Sequence, residues 1–174
     1  MRSSAEAAGL LAAALLACSV SSPETEVKEA LARLGPVELA TGGPPLRLER
    51  VRFADVAVSM DGPRALVLSV VEAEGRLAGG GPALAYVGRE AFAMERCAAA
   101  RWCLAAGELP ALRGVIEALR EAPREAGARV VAWQVRTERD AATAGEDYEA
   151  AGRRLRARRE LRREGGAWRV LPPP

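Results

Sequence analysis

Arg153-Arg154-Leu155-Arg156-Ala157-Arg158-Arg159-Glu160-Leu161-Arg162-Arg163-Glu164 can be read in two ways, and the choice decides the fold. Its Arg, Ala, Leu and Glu content favours a helix by propensity. Its phase favours a strand. Leu155, Ala157 and Leu161 share one face at period two, while Arg154, Arg156, Arg158, Glu160 and Arg162 share the other. Gly165-Gly166 then marks a turn, and Ala167-Trp168-Arg169-Val170-Leu171 alternates again. The strand reading gives a C-terminal antiparallel meander. It places the chain in the α+β class, with an antiparallel sheet of about six strands and two packed helices.

The segments upstream fit that class. Val130 to Thr137 is β-branched, with Trp133 and Val135 on one face. Pro110 opens a helix that Pro123 closes, and Leu109, Leu112, Ile116 and Leu119 form its apolar stripe. Asp61-Gly62, followed by Pro63, predicts a hairpin between residues 46–60 and 64–74. In its first strand the apolar phase slips from Val51 and Phe53 to Val56, Val58 and Met60, which predicts a β-bulge near Ala54-Asp55. Ala65 to Val71 is apolar on both faces and reads as a central strand. Gly75 and Gly79-Gly80-Gly81-Pro82 break the chain before another extended run over 83–95. Near the start, Ser22 and Pro23 open a helix that Gly35-Pro36 ends, with Val27, Ala30, Leu31 and Leu34 on one stripe. Thr41-Gly42-Gly43-Pro44-Pro45 reads as a linker. The Gly-Gly turn into a Trp-containing last strand resembles nuclear-transport-factor-two-like and cystatin-like domains. Those domains usually place their helices before the main sheet, whereas here the second helix falls mid-chain.

The leader has a different character. Arg2 precedes an apolar stretch from Ala7 to Ala17, too short to span a bilayer but suited to a signal-peptide core. Leu15-Leu16-Ala17-Cys18 resembles the lipobox of bacterial lipoproteins. That resemblance implies a signal peptide over 1–17, acylation of Cys18, a tether over 18–22 and a single domain over 23–174. It implies an exported protein held to a membrane by lipid, on the periplasmic face or at the outer membrane. Ser19 is permissive for the latter.

Cys97 and Cys103 lie six positions apart. In a helix that spacing climbs about 9 Å, beyond the roughly 7 Å Cα limit of a disulfide, and a strand separates them further. A Cys97–Cys103 bridge therefore requires the chain to turn between them, and an oxidised pair suits an exported protein.

Composition narrows the chemistry. There is no histidine among the 174 residues, so Ser-His-Asp and Cys-His catalysis and His-ligated metals are excluded. The net charge of +2 joins unlike halves: residues 19–100 carry 9 basic and 11 acidic groups, residues 101–174 carry 15 and 11. The arginine run is the loudest signal, but 24 Arg against one Lys is a compositional bias that weakens it. Arg154, Arg156, Arg158 and Arg162 on one strand face are candidates for binding lipid headgroups, lipopolysaccharide or anionic cell-wall polymers. The plainer reading is a solvated face paired with Glu160, Glu164 and the acidic Glu146-Asp147-Tyr148-Glu149. Glu146, Asp147 and Tyr148 hold acid–base groups, but neighbours on a strand face opposite ways. Glu72 and Glu74 would face the same way at a strand end. Trp102, Trp133 and Trp168 read as core, and no phosphate-cradling glycine motif is present. No metal, cofactor or nucleic acid is expected. The reading is an envelope lipoprotein with a non-catalytic domain that binds an envelope protein or anionic polymer. The alternative is a small ligand-binding or enzymatic cone enclosing an apolar pocket.

Overall fold

Nine strands form one sheet in the computed structural model, which describes residues 21–98, 101–105 and 108–172. The leader and Cys18 lie outside the described residues. In chain order the elements are α1 (Pro23–Ala32), β1 (Val37–Thr41), β2 (Gly43–Asp61), β3 (Arg64–Leu77), β4 (Ala83–Arg96), β5 (Trp102–Leu104), α2 (Pro110–Glu121), β6 (Arg129–Glu138), β7 (Ala141–Ala150), β8 (Arg153–Glu164) and β9 (Ala167–Val170). The hydrogen-bonded order is β1-β2-β3-β4-β6-β7-β8-β9, with β5 paired to β4 off that path. A helix followed by a four-stranded meander thus occurs twice. The two meanders join where β4 runs parallel to β6, Ala83–Gly88 beside Ala132–Thr137. A parallel return needs a crossover, and α2 provides it.

The sheet curls around that helix. The strands at the two ends of the order, β1 and β9, both touch α2, as does β4 in the middle. Leu109, Leu112, Val115, Ile116 and Leu119 are fully buried in the concave interior, the stripe the sequence marked plus Val115. Trp168 of β9 lies against Gly114, where an added Cβ would sit 2.6 Å from its Cδ1. Helix α1 packs beside β2 and β5 through Val27 and Leu31, and the Ser22 hydroxyl accepts from the Thr25 amide at 3.2 Å.

Three local expectations are met. The register of β2 on β3 jumps between Ala54 and Ala57, and Asp55 has φ 52°, a bulge where the apolar phase slips. In β8, Leu155, Ala157 and Leu161 face inward, and Gly165-Gly166 turns with both φ positive. The turn between the cysteines is a β4–β5 hairpin, which brings the Cα atoms of the Cys97–Cys103 disulfide to 5.9 Å. That hairpin is fixed to α1: the Arg96 guanidinium and the Trp102 indole N–H both donate to Glu26, at 2.6 and 3.3 Å.

The six-strand antiparallel sheet is corrected to nine strands with one parallel pair. The three strands missed are β1, β5 and β7. The segment Thr41–Pro45 is not a linker but the close of β1 and the start of β2. Pro44 and Pro45 fit there because they need only accept: Thr41 Oγ1 donates to the Pro44 carbonyl at 2.8 Å and the Ala78 amide to that of Pro45 at 2.9 Å. In β7, Ala, Gly, Glu and Asp have poor strand propensity, but pairing with β6 and β8 on both sides outweighs it.

Candidate functional site

Two carboxylates have no solvent exposure, Glu90 on β4 and Glu146 on β7. Glu90 falls in the period-two phase of Leu84, Tyr86, Phe92 and Met94, so β4 carries it to the packed face. There it meets the start of α2. The N-cap residue of that helix is Leu109, which has φ 53° and no side-chain oxygen to offer. Glu90 supplies the missing acceptor from another element, taking the Ala111 amide at 3.0 Å and the Leu112 amide at 2.7 Å. It also accepts from the Tyr86 hydroxyl at 2.6 Å. That hydroxyl has one hydrogen, so the Thr137 hydroxyl, 2.8 Å away, must donate to the Tyr86 oxygen. Gly88 leaves room for this chain, because a Cβ there would run into Thr137 Oγ1 and the Tyr86 hydroxyl. Burial pushes the Glu90 carboxyl above its ordinary range, and the bonds from Tyr86, Leu112 and Ala111 and the charge of Arg163 only partly offset it. Burial, then the Glu90 charge, raises the Tyr86 phenol as well.

Glu146 holds the other end of α2. Arg124 donates to it through Nε at 3.0 Å and through a terminal nitrogen at 2.8 Å. The same guanidinium donates to the carbonyls of Arg120 and Ala122 at the end of the helix, and to that of Leu119, which also accepts from the Ala122 amide. Trp133 donates its indole N–H at 3.1 Å and Arg159 stands 3.7 Å away. Burial pushes this carboxyl up too, but the bonds from Arg124 and Trp133 and the two guanidinium charges outweigh it and hold it below the ordinary range. Both carboxylates are therefore fully engaged in fastening α2.

The candidate arginines do share one face. Arg154, Arg156, Arg158 and Arg162 are exposed on the side of the sheet away from α2. Most are already answered by carboxylates: Asp147 takes Arg154 at 3.5 Å and Arg156 at 2.8 Å, and Glu160 takes Arg158 at 3.8 Å. The Asp147 carboxyl is lowered by the Arg156 hydrogen bond first and then by both guanidinium charges. Glu146 and Asp147 face opposite ways and share no pocket. Glu72 and Glu74 do share the open face, opposite Arg52 and Arg50, and Glu74 pairs with Arg50. All three tryptophans are buried.

The open face also carries apolar side chains: Leu66, Leu68 and Val87 keep 50%, 42% and 37% of their surface in water. Sequence reasoning missed Glu90, though a carboxylate in an apolar phase was the available signal. Among the described residues no group of His, Cys, Asp and Glu could hold a metal ion, and no helix is long and apolar enough to cross a membrane. No family model, curated protein or solved structure matches the chain.

Proposed function

We propose that the chain is a lipid-anchored envelope protein whose domain binds an anionic envelope component and carries out no chemical turnover. The observation that carries this reading is the asymmetry of the sheet. Its concave side is filled by α2 and both buried carboxylates there are committed to that helix, while among the described residues its other side carries no helix and exposes leucines and arginines. The alternative of a ligand-enclosing cone needs an interior cavity, and Leu112, Val115, Ile116 and Leu119 occupy that space. The Leu15-Leu16-Ala17-Cys18 leader supports export and acylation. The Cys97–Cys103 disulfide suits an oxidising compartment. The basic excess of residues 101–174, 15 groups against 11, supports an anionic partner.

Intact-mass measurement of the protein extracted from bacterial membranes tests the anchor. The expected species begins at Cys18 and carries the mass of its acyl groups. An unmodified Cys18, or a chain released from membranes without detergent, overturns the anchored reading.

A further inference from the structure

The parallel pairing of β4 with β6 stops at Gly88 and Thr137, yet β4 runs on to Arg96 and turns into β5. The two strands therefore part at the carboxyl end of β6, partway along β4, and such a parting at a change of strand order opens a crevice. A cleft of about 690 Å³ lies there on the open face, with Arg89, Arg136, Arg139 and Glu138 in its lining and Val70 and Val87 as apolar wall. The three guanidinium groups form no ion pair or side-chain hydrogen bond among the described residues, unlike those of Arg154, Arg156 and Arg158. Against one carboxylate, the lining is left with an excess of two positive charges.

The floor of this cleft is stiff. Arg89 lies between Gly88 and Glu90, and Arg136 directly precedes Thr137. The backbone under both is thus pinned from the packed side by the Glu90–Tyr86–Thr137 hydrogen-bond chain. Arg139 occupies the β6–β7 turn at φ 51°, where glycine or asparagine is the ordinary choice. Guanidinium groups match the paired oxygens of a phosphate, and arginines without internal partners are free to offer that geometry.

We propose that this cleft binds a phosphate group, through Arg89, Arg136 and Arg139. The phosphate can arrive as the free ion or at the head of a lipid, whose chain would lie along the apolar wall of Val70 and Val87. The inference deepens the binding-domain reading and rests on the open face being the working surface. It does not depend on Cys18, so its failure leaves the mass measurement untouched.

The test is titration of the purified protein at constant ionic strength with inorganic phosphate and with dihexanoylphosphatidic acid. Saturable binding of either probe is expected. Arg136→Ala and Arg89→Ala should each weaken it by about tenfold or more, as loss of a charged hydrogen-bonding partner does. Arg154→Ala and Arg156→Ala should change it less than about twofold, because those side chains are occupied by Asp147. Arg136→Gln serves if the alanine variant does not fold. Much tighter binding of the lipid assigns a headgroup site, and equal binding assigns the phosphate alone. Absence of saturable binding by both probes, or equal weakening by the β8 variants, overturns the proposal.

Discussion

Glu90 and Glu146 are equally buried and do the same work at opposite ends of α2, yet their surroundings push their acidities in opposite directions. Glu90 is met by neutral donors, a phenol and two backbone amides. Glu146 is met by a bidentate guanidinium, an indole and a second guanidinium. Hydrogen bonds from neutral groups satisfy a buried carboxylate without replacing its lost hydration in full, whereas adjacent cations do more than replace it. The first half of the molecule therefore carries a carboxyl that resists ionisation, and the second half one that insists on it. Removing Glu146 should separate the two most sharply. Glu146→Ala leaves Arg124 and Arg159 facing each other in a poorly hydrated site, and loss of one partner of a buried pair costs about 3–5 kcal/mol. Urea unfolding reads this directly, and a loss below about 1 kcal/mol would mean that water already solvates the pair.

Removing Glu90 should cost less, since no charge is stranded. Glu90→Leu leaves two helix amides without an acceptor, while the Tyr86 hydroxyl can donate to Thr137 Oγ1 instead. Unmet amides cost about 1–3 kcal/mol each, partly offset by removing a desolvated carboxyl and burying an apolar side chain. A net loss of about 2–3 kcal/mol is expected, with Glu90→Gln milder because its amide oxygen can still cap the helix. If the two variants lose equally, the cap is not what Glu90 contributes.

Acidity sharpens the same contrast. An unfolded glutamate titrates near pH 4.3. The raised carboxyl of Glu90 makes the folded state hold its proton more tightly, so this stabilisation is present below about pH 4.3 and is lost as pH rises through the folded value. Glu146 works in reverse: its stabilisation is present above about pH 4.3 and is lost as pH falls through its lowered folded value. In melts across pH, Glu90→Gln should flatten the decline on the alkaline side of pH 4.3, and Glu146→Gln should flatten the decline on the acid side. Swapped effects would reverse the assignment of neutral and cationic surroundings.

These two sites also mark what the sequence could reveal. The helix stripes, the bulge at Asp55 and the inward phase of β8 were legible because burial imposes a period on each. The short β1 and β5 give too few residues for a period to register, and β7 hides its strand behind small and acidic residues. Glu146 reads in sequence only as part of an acidic run, because the partner that defines it, Arg124, lies 22 positions away beyond Pro123. Glu90 needed the αL conformation of Leu109 to have a purpose, and a backbone angle is not written in side-chain pattern. Arg89, Arg136 and Arg139 are scattered through a chain already crowded with arginine, and only the parting of β4 and β6 gathers them.

The smallest effect concerns Asp147, one residue from Glu146 on the other face of β7. Its carboxyl is also lowered by arginines, Arg156 at 2.8 Å and Arg154 at 3.5 Å, so the two neighbours share sign, strand and type of partner. What differs is water. Arg154 and Arg156 keep 67% and 62% of their side-chain surface exposed, against 15% for Arg124. Mobile ions reach the outer pair and not the inner one, and at 1 M salt screening acts within about 3 Å. Raising sodium chloride from low salt to about 1 M should therefore move the Asp147 carboxyl back toward its ordinary value while Glu146 stays depressed, as followed by carboxyl-carbon NMR. Asp147→Asn should leave the urea midpoint within measurement error. If salt moved both carboxyls alike, the inner pair would be reached by solvent, and Glu146 and Asp147 would differ neither in type of partner nor in dielectric.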